Sequence, residues 1–247
     1  MKKILYILIF TLVIVSCKKE TETIELSNDY NYFPTKIGSY IIYKGDSILY
    51  NYFFTEVKRT KSFYLKEVVS DTSRDNLNRL AYEVDIFESQ DLNGTWTHKV
   101  KWYKVIYNKT AESVEDNLRY LKLVFPSKVG LTWNANKFIS DRIPYIFAID
   151  STLDIFNSRA VIKQKDITYT NSYASFDSTL TVVNLIDSSG VDYYKLTEKY
   201  ARNIGLVYKE QWNVVAKDPG RNPNLPWIDR ARLGFYLKLE AIEYGQE

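Results

Sequence analysis

The hexapeptide FPTKIG, residues 33–38, recurs in the second half of the chain as FPSKVG, residues 125–130. Proline fixes φ and glycine frees it, so each copy predicts a turn that opens the aromatic-led extended run behind it. The period of 92 residues indicates two related halves, 31–122 and 123–247. A common turn used twice is the alternative, because little outside the hexapeptide aligns.

Strand patterns extend outward from both hexapeptides. Residues 62–70 alternate with the period of a strand rather than of a helix. The Asn-Gly pair in Asp91-Leu92-Asn93-Gly94 predicts a hairpin turn. Further runs rich in Val, Ile, Thr and aromatic residues predict strands over 39–54, 80–88, 95–107, 160–170, 178–186, 206–215 and 232–244.

A few segments interrupt these strands. Residues 112–117 are the best local helix candidate, 71–78 predict a loop, and Gly45-Asp46 can break the first strand into a hairpin. Residues 191–200 fit a strand or one helical turn. The sequence therefore predicts a mainly β fold, with a large curved antiparallel sheet as a half-barrel or sandwich, built from two related halves with few short helices.

The first seventeen residues indicate where the chain is held. Lys2 and Lys3 precede an apolar run of twelve residues, 4–15, which fits a signal peptide over 1–16. At about 1.5 Å per residue this run is too short to cross a hydrocarbon layer of about 30 Å. Ile14-Val15-Ser16-Cys17 resembles the lipobox of bacterial lipoproteins, which implies lipid attachment at Cys17. A secretory signal that ends near a cysteine is the alternative.

Residues 17–30 are polar and predict a lipidated flexible tether before a single β-rich domain, 31–247. Two acyl chains already anchor a protein stably. Lys18 after the cysteine, where inner-membrane lipoproteins carry Asp, implies the outer membrane. Residues 18–22 resemble the surface-export signal of lipoproteins of the Bacteroidota, so the periplasmic face and the cell surface both stay open.

Composition restricts the possible partners. Removal of residues 1–16 leaves 231 residues with 31 Lys and Arg against 30 Asp and Glu, so no basic surface for nucleic acid is indicated. Cys17 is the only cysteine, so its lipidation leaves no disulfide to stabilise the domain.

The sequence assigns no catalytic, metal-binding or cofactor-binding residue. His98 is the only histidine and lies in a strand pattern, which favours a surface position over a catalytic base. No zinc-ligand spacing and no phosphate-binding glycine loop occur. The carboxylates of Asp150, Asp154, Glu198 and Glu240 lie in or beside apolar sequence and are candidates for a carboxylate-based hydrolase.

Tryptophans provide the remaining candidates. Trp96, Trp102, Trp133 and Trp212 fit core packing better than sugar or ligand binding. Trp227 ends a proline-rich loop, 218–227, that is longer than a simple hairpin needs. The loop is either a cap with Trp227 buried, or a recognition surface on which Trp227 and Arg221 contact a partner or ligand.

Three blocks carry a resemblance that covers about forty residues: Tyr32 to Tyr40, Leu121 to Asn136 and Tyr200 to Glu210. They resemble blocks of uncharacterised lipoproteins of the Bacteroidota, a family with no assigned activity. The resemblance implies an envelope location and a β fold. We therefore expect a non-enzymatic lipoprotein for binding or scaffolding. The alternatives are a carrier of an apolar ligand in a half-barrel cavity and a carboxylate-based hydrolase.

Overall fold

The computed structural model describes residues 29–51, 58–139, 158–185, 189–216 and 224–247. These residues form one 12-stranded antiparallel sheet that curls into a nearly closed barrel with few helices, which confirms the predicted fold class. One short helix, α1 (Trp227–Arg230), precedes the last strand. The strands are β1 (Ser39–Tyr50), β2 (Lys58–Arg74), β3 (Leu80–Ser89), β4 (Thr97–Tyr107), β5 (Thr110–Glu115), β6 (Leu118–Val124), β7 (Thr132–Asn134), β8 (Arg159–Thr170), β9 (Ser175–Leu185), β10 (Asp192–Ala201), β11 (Gly205–Ala216) and β12 (Ala231–Gln246).

The sheet consists of two meanders of six strands. Within β1–β6 and within β7–β12, each strand pairs with its neighbour along the chain. The meanders join where β1 pairs with β12, from Ser39 opposite Gln246 to Tyr50 opposite Gly234. The first and last strands of the domain are therefore central, and β6 and β7 are the two ends of the sheet.

The two ends of the sheet meet at a seam. The backbone N–H of Leu121 in β6 donates to the carbonyl of Ala135, just after β7, at 2.8 Å. The indole Nε1 of Trp133 donates to the carbonyl of Leu121, also at 2.8 Å. These contacts bring β6 and β7 together without the continuous ladder that joins β1 to β12.

Both hexapeptides end in a glycine with the same backbone conformation. Gly38 has φ 83° and its N–H donates to the carbonyl of Val69 at 2.8 Å, while Gly130 has φ 86° and donates to Ile162 at 2.9 Å. Each turn opens a strand that pairs antiparallel with the next strand of its own meander. The two turns share the glycine conformation and the direction of the following strand but differ at the proline, because the Phe125-Pro126 peptide bond is cis and the Phe33-Pro34 bond is not. The duplication of the halves remains a prediction.

A cluster of apolar side chains fills part of the interior of the sheet and includes Phe125 of the second hexapeptide. Because successive strand residues point to opposite faces, every second side chain of a regular strand turns inward. Tyr32, just before the first hexapeptide, and Phe33, its first residue, pack into the same cluster. Its other buried members are Ala111, Leu123, Phe125, Ala160, Ile162, Leu180, Val182 and Tyr200.

Two predictions of local structure were wrong in the first meander. Residues 112–117 are not helical, because β5 ends at Glu115 and Asp116 and Asn117, with φ 50° and 66°, form a tight hairpin turn into β6. Gly45 does not break β1. It lies opposite Phe63, whose ring occupies the space that a Cβ at position 45 would need.

Other segments differ in extent. The predicted loop over 71–78 is shorter, because β2 continues to Arg74, and residues 191–200 are almost wholly the strand β10.

The packed domain also begins earlier than residue 31. The Asp29 carboxylate is buried, accepts a hydrogen bond from the Ser127 N–H at 2.7 Å and pairs with Lys165 at 2.8 Å.

No helix in the described part of the chain has the length and apolar character needed to cross a bilayer. Four residues singled out by the sequence lie outside the described ranges, namely Cys17, Asp150, Asp154 and Arg221.

Candidate ligand cavity inside the sheet

A cavity of about 110 Å³ lies inside the curled sheet. Much of its wall is apolar and comes from both meanders, with Phe63 and Leu65 on β2, Trp102 on β4 and Leu237 on β12. Phe33, from the turn before β1, contributes another aromatic ring. The sheet therefore encloses space that core side chains do not fill.

A second cavity of about 80 Å³ adjoins the first. The two share four charged residues, which come from four strands: Glu115 on β5, Lys122 on β6, Glu198 on β10 and Lys209 on β11. We call these four residues the interior charge cluster. The fold brings them together across the barrel, although they belong to different meanders.

Lys122 is the centre of the interior charge cluster. Its ammonium lies 3.0 Å from a carboxylate oxygen of Glu115 and 3.0 Å from one of Glu198. The other Glu198 oxygen accepts a 2.7 Å hydrogen bond from the Tyr200 hydroxyl. Lys209 lies farther out, 3.9 Å from Glu115. One ammonium thus serves two carboxylates.

The charges of this cluster are stabilised by each other. Burial alone would raise the pKa of Glu115, but the ammonium groups of Lys122 and Lys209 lower that pKa to about 2. Burial would likewise lower the pKa of Lys122, and the two carboxylates raise it above its usual range. Burial and the Glu198 charge raise the pKa of Tyr200 well above its ordinary value. Glu115 and Lys122 are therefore ionised and Tyr200 is neutral near pH 7.

A further ion pair lines the first cavity. The Lys104 ammonium lies 2.6 Å from a carboxylate oxygen of Glu67. The buried Tyr43 hydroxyl donates to the carbonyl of Leu206 at 2.9 Å and lies 3.3 Å from Glu67. With this pair, the described charged residues that line the cavity are three carboxylates and three ammonium groups.

Of the two predicted carboxylates that the structure describes, one lines the cavity. Glu198 belongs to the interior charge cluster, whereas Glu240 pairs with Lys238 at 2.8 Å and lines neither cavity. The partner that sequence reasoning missed is Glu115. Since Glu115 and Glu198 each lie 3.0 Å from the same ammonium, these oxygens are at most twice that distance apart.

His98 lies on β4, away from the cavity. Its Nε2 is 2.8 Å from a carboxylate oxygen of Asp85, its ring packs edge-on against Phe87, and about half of its side chain is exposed. This is the surface strand position that the sequence favoured.

The tryptophans have different environments. Trp102 lines the cavity, and Trp133 makes the seam contact with Leu121. Trp96 lies in the connection between β3 and β4 and is partly buried. Trp212 packs in a separate aromatic cluster that also contains Trp227.

Trp227 begins α1 and is partly buried in that cluster. Its ring stacks on Tyr193 with centroids 5.3 Å apart and an interplanar angle of 7°. The Arg230 guanidinium carbon lies 4.1 Å from the indole centroid. The Tyr50 hydroxyl donates to the carbonyl of Ile228 in the same helix at 3.0 Å. Trp227 therefore contacts both the sheet and its own helix.

A weak signal for the missed charges is present in the sequence. Lys122 is a single charge within the apolar segment Leu121 to Val124, and Lys209 directly follows the apolar segment Leu206 to Tyr208. A charge inside a half-buried strand suggests an interior partner, but sequence alone does not show which strand supplies it.

No family model and no curated protein matches this chain. Similar solved structures include a protein assigned as a lipoprotein from Parabacteroides distasonis, with 15% identity, 87% of this chain and 98% of that chain covered, and a TM-score of 0.36. An assigned exported protein with a YmcC-like fold from Bacteroides fragilis has 13% identity, the same coverages and a TM-score of 0.35. An assigned outer-membrane lipoprotein-sorting domain from Vibrio parahaemolyticus has 11% identity, coverages of 90% and 89%, and a TM-score of 0.23. Likeness at this level carries no conclusion about function.

Proposed function

We propose that this chain is a lipid-anchored lipoprotein of the bacterial envelope whose β domain binds a small ligand inside its sheet without catalysing a reaction on it. The observation that carries the binding role is the unfilled interior of about 110 Å³ with its largely apolar wall. A domain that needed only to scaffold would gain stability from a filled core, because empty space forfeits packing contacts.

The anchor rests on the lipobox. Lipid attached to Cys17 holds the domain at the outer membrane, on its periplasmic face or at the cell surface. From Cys17 to Asp29 the chain spans at most about 3.6 Å per residue, so the domain stays within a few tens of ångströms of the bilayer. Such a position suits a protein that receives or delivers a small molecule at the membrane.

The carboxylate geometry argues for binding rather than hydrolysis. Glu115 and Glu198 are close enough for the paired carboxylates of a glycoside hydrolase, which lie about 5 to 10 Å apart. That reaction needs one of the pair to be a protonated acid at working pH. The Lys122 and Lys209 ammonium groups lower the pKa of Glu115 to about 2 against the effect of burial. Glu115 therefore lacks the proton that a general acid must donate.

Scaffolding through the α1 region is the second candidate. Leu225 and Ile228 are large apolar side chains that remain exposed beside Trp227. Trp227 and Arg221 are the residues that we propose for contact with a partner protein, and Leu225 and Ile228 would extend that contact.

The anchor is tested by labelling. We expect Cys17→Ser to abolish incorporation of radiolabelled palmitate and to move the protein out of the membrane fraction. Ser16→Ala keeps a small residue before the cysteine and should retain both properties. Equal labelling of wild type and Cys17→Ser would refute the anchor.

The binding role is tested by what the protein carries from its own cell. The full chain is purified from its native envelope, and the small molecules extracted from it are profiled by mass spectrometry. Leu65→Trp fills the cavity and should remove the bound species, whereas Leu49→Trp places the same bulk at an exposed position of β1 and should not. Identical profiles from all three proteins would rule out an internal ligand.

A further inference from the structure

We propose that the cavity takes an uncharged molecule with an apolar body about the size of a six-membered ring and a hydrogen-bond acceptor that contacts Lys209. This inference rests on the proposed binding role and specifies the ligand class for it. Three features of the cavity restrict that class: its volume, the balance of its charges and one ammonium group without a close partner.

The volume sets the size of the apolar body. A cavity of about 150 Å³ lined by apolar side chains is large enough to bind benzene. The first cavity is smaller, at about 110 Å³, so the apolar body is limited to a single ring or a short branched chain. A long acyl chain has too many carbon atoms for the first cavity alone. The wall of Phe63, Leu65 and Leu237 supplies the apolar contacts that such a ring needs.

The charge balance excludes ionic ligands. Three carboxylates and three ammonium groups line the cavity, and within this set the positive and negative charges cancel. An anion or a cation would add one unbalanced charge to a poorly solvated interior. The desolvation penalty of that ion would exceed the electrostatic energy gained from imperfect ion pairing. An uncharged ligand avoids this cost. The interior charge cluster therefore selects against charge although it is itself built of charges.

Lys209 supplies the polar contact. Lys122 and Lys104 approach carboxylate oxygens at 3.0 and 2.6 Å, whereas the Lys209 ammonium is 3.9 Å from Glu115. Among the described residues, Lys209 donates no hydrogen bond, although its side chain is only 13% exposed and lines both cavities. An ammonium has three N–H donors, and on this partly buried side chain each of them can donate to an acceptor of a ligand in the cavity. A hydroxyl or carbonyl oxygen of the ligand satisfies one of them.

Four probes separate these requirements. Benzyl alcohol has the ring and an uncharged acceptor, phenylacetate adds a negative charge, benzylamine adds a positive charge, and decan-1-ol keeps the uncharged hydroxyl but exceeds the size. Dissociation constants are measured by ligand-observed NMR on the full chain in lipid nanodiscs, with empty nanodiscs subtracted. We expect benzyl alcohol to bind at least about tenfold more tightly than the two charged rings, and decan-1-ol not to compete with it.

Variants locate the binding. Leu65→Trp should abolish benzyl alcohol binding. If this large substitution strongly lowers the unfolding midpoint, the smaller substitution Leu65→Phe is used in its place. Lys209→Met should weaken benzyl alcohol about tenfold, because a hydrogen bond to a charged group is lost. Lys238→Met removes an ammonium that lines neither cavity and should leave the affinity unchanged.

Each contrary result refutes a stated part of the proposal. Tighter binding of phenylacetate or benzylamine refutes the charge argument. Decan-1-ol binding that Leu65→Trp removes refutes the size limit but leaves internal carriage intact. Benzyl alcohol binding that survives Leu65→Trp, or that is absent from the wild type, refutes the ligand class. The profile of natively bound molecules then decides separately whether the cavity carries any ligand.

Discussion

Gly38 and Gly130 occupy the same position of the repeated turn but have different surroundings. Both have φ near 85°, in the left-handed region that favours glycine. A Cβ added to Gly38 would lie 2.7 Å from the backbone oxygen of Glu247, whereas a Cβ added to Gly130 would meet nothing within 4 Å. The difference arises because β1 is paired on both sides and β7 lies at the seam.

The two glycines therefore form a matched pair for mutation. We expect Gly130→Ala to lower the free energy of unfolding by about 1 to 2 kcal/mol, the cost of the left-handed conformation. Gly38→Ala should cost about 1 kcal/mol more, because Glu247 must shift and its N–H loses a 2.8 Å hydrogen bond to Gly38. Urea unfolding of both variants measures the difference. An equal or larger loss at Gly130 would contradict this account.

Among the elements, α1 is short and owes its position to contacts with the sheet. A helix of four residues has no independent stability, so the stacking of Trp227 on Tyr193 and the hydrogen bond from Tyr50 hold it in place. Removing the indole removes the largest of these contacts.

Trp227→Ala should therefore lower the free energy of unfolding by about 3 kcal/mol, as for other packed aromatic residues. Trp227→Phe keeps a ring against Tyr193 and should cost less. Leu225→Ala, at an exposed position of the same segment, is the control and should change stability little. Unchanged stability in Trp227→Ala would reject the packing role and leave partner recognition as the explanation for this tryptophan.

For the molecule as a whole, the interior charge cluster links stability to pH. The folded-state pKa of Glu115 is about 2, below its ordinary value of 4.5, so folding favours the ionised carboxylate. Asp166 lies outside this cluster; burial raises its pKa, but hydrogen bonds from Ser178, Tyr32 and Arg202 lower it to about 2. A group with a lowered folded-state pKa contributes stability above its unfolded-state pKa and loses it as pH falls through the folded-state pKa.

We accordingly expect the free energy of unfolding to decline as pH falls from about 4.5 to about 2. Glu115→Gln should reduce the slope of this decline by roughly one proton, because one coupled titration is removed. Glu243→Gln, at an exposed position, should leave the slope unchanged. Urea unfolding at a series of pH values measures both slopes. A slope in Glu115→Gln equal to that of the wild type would show that Glu115 does not titrate with folding.

Local chemistry allowed the sequence to determine most strands and turns. Alternating apolar residues predicted β3, β4 and β11 to within about two residues, because strand periodicity depends only on near neighbours. The helix predicted over residues 112–117 was wrong because Asp116 and Asn117 adopt the positive φ of a tight hairpin turn, a conformation that Asp and Asn tolerate.

The tertiary structure alone decided which strands are neighbours and what they enclose. Pairing β1 with β12 and bringing β6 to β7 depends on the register and twist of the complete sheet, which no single segment specifies. That closure places Glu115 and Lys122 of one meander beside Glu198 and Lys209 of the other and leaves the cavity between them. A sequence determines strands through contacts between near neighbours, whereas this site consists of contacts between distant residues.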